Sequence, residues 1–387
     1  MNDSEGGKSV IDVIEDFDYS TQSDKYNKAF KNWRKSKSNP YTYNFSKNKR
    51  EHTFIEGRGF MNTDPADAEK TILNRVLFVI GMALFISISV ETFFSKFIVK
   101  LLSKTGVNLW ANFLTDTVYG GEIEVLLYLI ITGILKLGLP ILFIHRLFKM
   151  PNTVRFPHKL SKKSDMCYAL SICLMLSVLT SFSSAYFKNT TRIFEFFKLD
   201  DAEFATQGVT CFVIYAFFDV LIVSILSEML FRGEMLASLR QFGDLFAVTV
   251  CAFVSTAVTA DFAMSPCAFA IAMLSGIMVL KSGSIITAIC IRALHSSYLI
   301  GLAFIVSEKL DVYRFLNKTN FATISVGLSA IIAAFTFMLT KSDRRKIFAN
   351  FQTYLSRKDK VIAVFQCSTI VISLFICCTI AYVKLFV

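Results

Sequence analysis

The chain alternates between polar and apolar stretches in a way that divides it into a polar N-terminal part, residues 1 to about 70, and nine apolar runs. The runs lie near 75–98, 123–147, 166–187, 208–231, 245–260, 264–281, 284–306, 320–340 and 361–385. Most are long enough for a helix to cross roughly 30 Å of hydrocarbon. Lipid offers backbone groups no hydrogen-bond partners, so all nine are expected to be helices. The fifth and sixth are short, with Asp261 and Pro266 near their junction, and suggest a helical hairpin that does not fully cross. The expected fold class is an all-α polytopic membrane protein, a bundle of about eight to nine transmembrane helices. Its divisions are the polar segment 1–70, N-terminal helices at 71–206, a core at 207–306, and C-terminal helices at 307–387 with a basic loop at 341–360.

Lys and Arg between the runs set the expected orientation. The N-terminal tail, the loop from Arg146 to Lys163 and the loop from Lys341 to Lys360 are richly basic and belong on the cytosolic side. The alternate loops, around Asp116 to Glu124, Lys188 to Glu203 and Glu308 to Lys318, mix acids with bases and fit the outside. The N-terminus is then cytosolic and nine spans put the C-terminus outside. The tail opens on acids (Asp12, Glu15, Asp16, Asp18) and turns basic and aromatic from Lys25 to Arg58. Two readings of it stay open: an ordinary solvated tail, or a stretch with Tyr41, Tyr43 and Phe45 lying on anionic headgroups, at about 1 kcal/mol per basic residue. No early hydrophobic core with a cleavage site precedes it, so insertion is expected to begin at the first span.

Composition sharpens this picture. Hydrophobic residues make up 53% of the chain and 39 residues are Phe, far from the make-up of a soluble domain. The net charge of +11 gathers between the apolar runs, with no basic stripe on a nucleic-acid-binding module, so a nucleic-acid partner is not expected. The nine cysteines sit almost wholly within apolar runs with no C-x-x-C pair, and read as small core residues.

Candidate chemistry centres on Ser227-Glu228-Met229-Leu230-Phe231-Arg232-Gly233, which ends the fourth run. On a helix, Glu228 and Arg232 lie one turn apart on the same face. Charge at membrane depth needs a reason, and either an ion pair or a ligand held between the two would supply one. Further polar residues inside the runs are Glu91, Lys136, Asp219, Arg292 and His295, and nothing in the sequence decides the partner of Lys136. Of the four histidines, His52, His145, His158 and His295, only His295 falls within a core run.

From Ser227 to about Gly301 the chain resembles the core of the CPBP family, the CAAX-protease and bacteriocin-processing (Abi) intramembrane metallopeptidases. The resemblance rests on Ser227 to Gly233, Leu239-Arg240-Gln241-Phe242-Gly243, Phe253-Val254-Ser255-Thr256-Ala257, Leu280-Lys281-Ser282-Gly283-Ser284-Ile285, and Ile291-Arg292-Ala293-Leu294-His295-Ser296. It implies E-E-x-x-x-R closing one helix, F-x-x-x-H on the next, and H-x-x-x-N after a Gly-Ser turn. Glu228, Arg232 and Phe253 match that pattern. Ser227 stands where the resemblance places the glutamate that activates water, Ala257 where it places a histidine, and Arg292 and Ser296 where it places the last histidine and asparagine.

A catalytic zinc needs about three protein ligands and a carboxylate to take the proton from water. One core imidazole does not make that site, so no catalytic set is intact, and neither a metal nor another cofactor is expected. His295 reads first as a hydrogen-bonded core residue, and as a ligand only if the last motif slips by three residues. A set of Glu228, Asp261 and His295 suits on ligand type, but Asp261 and Glu228 fall near opposite ends of their spans. Arg292 is expected to stand in for the cation and to bridge Glu228 in bidentate fashion.

The resemblance thus implies a degenerate, non-catalytic member: a scaffold, regulator or immunity-type partner of another membrane or cell-envelope protein. The alternative is an active metallopeptidase that cleaves a membrane-associated or CAAX-like peptide, with zinc and with Glu228 as base. The resemblance and the Lys-, Asn- and Phe-rich composition suggest a bacterial plasma membrane.

Overall fold

A computed structural model describes residues 10–11, 22–34, 36, 39–41, 43–46, 53–55, 59–61, 65–112, 117–157, 161–178, 206–262, 264–306, 318–339, 348 and 353–386. The chain is an all-α polytopic membrane protein. Its helices are α1 (Asp24–Arg34), α2 (Pro65–Ser89), α3 (Ser95–Lys104), α4 (Glu122–Phe148), α5 (Asn152–Arg155), α6 (Lys163–Val178), α7 (Thr206–Phe217), α8 (Ser224–Glu228), α9 (Leu236–Leu239), α10 (Asp244–Thr259), α11 (Ser265–Ser282), α12 (Ile285–Val306), α13 (Lys318–Leu339), α14 (Arg357–Gln366) and α15 (Ser368–Phe386). Two small antiparallel sheets accompany them: β1 (Val10–Ile11), β2 (Tyr43–Ser46), β3 (Thr53–Ile55) and β4 (Gly59–Met61) in order, and a hairpin of β5 (Leu109–Asn112) with β6 (Thr117–Gly120).

Every apolar run of the sequence contains a helix, but fewer than eight or nine qualify as spans among the described residues. Five are long and apolar enough to cross a membrane: Ala66–Lys104, Glu122–Phe148, Gly208–Phe242, Ser265–Ser282 and Ile285–Leu302. A sixth arises if α14 and α15, bent by 68° at their break, count together. α10, at 16 residues, is about 24 Å long at 1.5 Å per residue, short of the hydrocarbon thickness. It turns back into α11 through Ala260, whose φ of 44° lies in the left-handed region, and the Asp261 carboxylate accepts from Met264 N at 3.2 Å to hold the turn. The loops 188–203, 308–317 and 341–347, on which part of the orientation argument rests, lie outside the described residues.

Two helices are interrupted by π-helical turns. Val90–Phe94 joins α2 to α3, and Phe218–Val223 and Met229–Met235 flank α8 within one continuous helical rod. Each wide turn carries one residue more than an α-turn and so rotates the downstream part of its helix about the axis, and such turns are frequent at functional sites.

Small residues let the rods approach. α15 packs on α2 at Gly81, where a Cβ would lie 2.7 Å from Ile370 N, and the Ser373 hydroxyl donates to Gly81 O at 3.3 Å. α10 meets α11 at Gly276, where a Cβ would come within 2.9 Å of Val248. Close approach of backbones is the main source of helix association where lipid removes the hydrophobic drive.

Residues 22–34 do not stand apart from the bundle as a solvated tail. α1 is amphipathic, and Tyr26, Phe30 and Trp33 are buried in the main core together with Phe148, Phe242 and Leu280. Each is worth roughly 1.5–3 kcal/mol. The Trp33 indole donates to Phe148 O at 3.2 Å, and Tyr41 stacks on Phe148 with ring centroids 4.5 Å apart. β2 to β4 belong to the same polar segment, and His52 lies outside the described residues.

Arg240 fastens α1 to the bundle. Fully buried, it pairs with Asp244 (Nε–Oδ1 2.9 Å), donates to Asn27 Oδ1 at 2.6 Å and to Gln22 Oε1, and lies over the rings of Phe30 (4.8 Å) and Tyr26 (5.0 Å). Gln22 Nε2 closes the circuit on Asp244 Oδ2 at 2.5 Å. Burial raises the Tyr26 phenol above its usual range against the opposing pull of Arg240, so the ring stays neutral beneath the guanidinium. Nearby, Lys360 donates to Phe242 O (2.7 Å) and Thr353 Oγ1 (2.6 Å), while Glu69 accepts from Tyr354 N (2.8 Å) and Leu355 N (3.1 Å) and stands 3.7 Å from Lys360 Nζ. The start of α2, the end of α4, the α9–α10 turn and the start of α14 thus meet at one end of the bundle, under α1.

Removing one member of such a buried pair strands the other. Arg240→Ala is expected to lower stability by about 3–5 kcal/mol and to free α1 for proteolysis. Denaturant unfolding and limited proteolysis of the purified full chain check this, and Arg240→Ala/Asp244→Ala is expected to cost clearly less than the sum of its parts.

Candidate functional site

Glu228 ends α8 and Arg232 lies in the π-turn after it, so the expected one-turn juxtaposition survives the change of helix type. Both are buried, with Arg232 Nε 3.1 Å from Glu228 Oε2. Arg232 Nη2 donates to Ala272 O on α11 at 2.8 Å, and its guanidinium lies 5.8 Å from the Phe231 ring. Of the open alternatives for Glu228, the one realised is Arg232. Arg292 adds to the field at Glu228, but among the described residues no ion pair within 4.0 Å links the two, so the expected bidentate bridge is not formed. Gly233 has its own constraint: a Cβ there would sit 2.9 Å from Arg155 O of α5.

Beside this pair, within the bundle, lies a cavity of about 350 Å³. Five helical rods meet around it. They contribute Glu91 from the first π-turn, Lys136 from α4, Asp219 from the second π-turn, Ser227 from α8, Ser255 and Thr259 from α10, and Arg292 from α12. Lys136, undecided in sequence, pairs with Glu91 at 2.7 Å. Asp219 lies in the field of the Arg292 charge. Ser227 donates to Ser224 O at 3.1 Å, so its side chain already serves its own helix.

The remaining motif residues separate. Ala257 and Phe253 lie on the other face of α10, along a groove against α15 with Thr256, Leu374 and Cys377, while Ser255, Val258 and Thr259 face the cavity. His295 points away toward α6, where its Nδ1 is 2.9 Å from Ser177 Oγ. The Ser177 hydroxyl gives its proton to Cys173 O at 2.8 Å, which makes His295 Nδ1 the donor in their shared bond. His145 approaches Glu234 at 3.7 Å near the end of α4, and His158 lies outside the described residues.

The zinc that the resemblance implies would need several of these donors free to bind it. Of the cavity's two carboxylates, Glu91 is committed to Lys136, and Arg292 places a fixed positive charge beside Asp219. Glu228, Asp261 and His295 are held in separate contacts. Among the described residues no three His, Cys, Asp or Glu side chains come together as a metal site would require. This donor set does not fit zinc.

Sequence reading missed Glu234, which is fully buried with Arg155 Nε 2.6 Å away, and also Arg240, Asp244 and Lys360. Arg240 and Asp244 carried a readable signal, an i, i+4 pair beside a glycine. Glu234 and Lys360 carried none, since their partners are remote in sequence.

Glu228→Ala is expected to leave a buried, unpaired guanidinium and to lower stability by about 3–5 kcal/mol, whereas Glu228→Met with Arg232→Met recovers most of it. Thermal unfolding of the variants in detergent checks the contrast.

Comparison with curated proteins and with solved structures finds no match. Residues 209–298 match a family model described as type II CAAX prenyl endopeptidase Rce1-like. The matched stretch runs from the rod that carries Ser227, Glu228 and Arg232 to the helix that carries Arg292 and His295, so this core of the chain is similar to the Rce1-like CAAX prenyl endopeptidases, in agreement with the CPBP family that its motifs resemble.

Proposed function

We propose that the chain is a non-catalytic member of the CAAX-peptidase family that acts as a scaffold, regulator or immunity-type partner of another membrane or cell-envelope protein. The observation that carries this reading is the chemistry of the cavity. Where the family resemblance places a water-activating glutamate there is Ser227, and where it places a histidine there is the Arg292 guanidinium. A guanidinium is always charged and has no lone pair for a metal. Glu228, the family glutamate retained, is closed by Arg232, so it is poorly placed to take a proton from water. What the residues keep is a rigid core, with the polar knots tying its helices together.

Such a protein works through its surfaces, and in this reading the end carrying α1 faces the cytosol of a bacterial plasma membrane. Lys149, Arg155 and Lys360 stand at that end, in agreement with the enrichment of Lys and Arg in cytoplasmic loops.

Two measurements on the purified full-length chain test the proposal. Elemental analysis is expected to find zinc far below one per chain, and a prenylated CAAX peptide is expected to stay intact. One zinc per chain, together with cleavage abolished by Glu228→Gln, would establish the peptidase reading instead. Cross-linking in the native membrane is expected to capture a protein partner.

A further inference from the structure

Among the described residues, Arg292 is a cation of the bundle that the packing leaves without a hydrogen bond or an ion pair. Its Nε is buried with no hydrogen-bond partner, and among the described residues no carboxylate lies within 4.0 Å of its guanidinium. Two of the other charges that line the cavity or border it through the Glu228 motif are matched, Glu91 by Lys136 and Glu228 by Arg232, while Asp219 lies in the field of Arg292 without an ion pair to it within 4.0 Å. A guanidinium whose Nε is buried is costly to leave unmet, and here the half-buried group opens into a cavity of about 350 Å³, within the range of roughly 300–1,000 Å³ typical of small-molecule sites.

The rest of the lining says what kind of molecule would meet it. Thr132, Ser227, Ser255 and Thr259 each donate their proton to a carbonyl of their own helix, at Tyr128, Ser224, Ala252 and Thr256. Apart from Val118 of β6, the surrounding residues lie on helices. A peptide laid in the cavity would find few groups for its own amides. A molecule with one anionic head and an otherwise apolar body loses nothing there: Leu129, Leu137, Phe218, Val223 and Val258 supply its walls.

We propose that the cavity is a binding site for a single-chain anionic amphiphile, its carboxylate or phosphate head held by the Arg292 guanidinium and its chain by the apolar lining. Arg–carboxylate and Arg–phosphate pairs are short, charge-assisted and often bidentate, which is the chemistry that Arg292 has to offer. Asp219 and Glu228 reduce the net attraction but do not satisfy the donors. The inference rests on the cavity alone and holds whether or not the chain has peptidase activity.

The test uses the purified full-length protein in phosphatidylcholine nanodiscs, with dodecanoate, dodecyl phosphate and neutral dodecanol as probes and native mass spectrometry as readout. At least one anion is expected to bind saturably at one per chain, with dodecanol about tenfold or more weaker, as loss of a charge-assisted pair implies. Comparison of the two anions tells a carboxylate site from a phosphate site. Arg292→Gln is expected to reduce anion affinity to the level of dodecanol. Ser255→Phe, which keeps the guanidinium but fills the cavity from α10, is expected to abolish binding, and it decides the matter if Arg292→Gln does not fold. Equal binding of dodecanol, binding unaffected by Ser255→Phe, or no binding of either anion would overturn the proposal. So would displacement of dodecanoate by a short apolar peptide with a free C-terminal carboxylate but not by its amide, since that would assign the site to a peptide.

Discussion

A charge withdrawn from water into a helical bundle must find a partner there, because the bilayer supplies none. Most of the specific features of this structure trace to that requirement. Arg232 takes Glu228 and a carbonyl of α11, Lys136 takes Glu91, Glu234 takes Arg155, and Arg240 takes Asp244 together with two side chains from the N-terminal segment. Each of these contacts joins separate elements or fixes the turn between two of them. The polar groups therefore choose which helices meet, while apolar packing determines how closely they do so. Arg292 departs from this pattern, and it does so where the bundle leaves room.

Helix geometry and cavity are linked. The π-turns fall at Val90–Phe94, Phe218–Val223 and Met229–Met235, and each carries a charged residue of the cavity or of the pair beside it: Glu91, Asp219 and Arg232. An α-helix throughout would rotate the residues downstream of each turn by about 100°, moving Ser227 or Arg232 off the face it now occupies. The knot under α1 and the pair at Glu228 are tied into the same rod, separated by α9. The polar N-terminal segment is in this sense a structural part of the core.

The fold was largely legible in the chain. The nine apolar runs each hold a helix, the short fifth run is a helix too short to cross, and the F-R-G and Gly-Ser motifs fall where helices end and turn. The site was legible in part. Glu228 and Arg232 form their pair because i, i+4 spacing is a local property of a helix. The placement of Ala257 and His295 was not legible. Motif spacing gives a position along a helix, while rotation about the helix axis is decided by what packs against it, and Ala257 and His295 turn to α15 and α6.

The sequence by itself determined that this chain is built of helices in a membrane, where its basic segments fall, and that its polar signature lies between Ser227 and Ser296. Hydropathy and helical spacing are local, so they are written in consecutive residues. Only the tertiary structure decided that α1 is bolted into the core by Arg240, that Lys360 and Glu69 meet, and that Arg292 faces a cavity instead of Glu228. Those outcomes depend on contacts between residues up to about three hundred positions apart, selected by the demand that buried charge be matched. At Arg292 that demand is left for a ligand to meet.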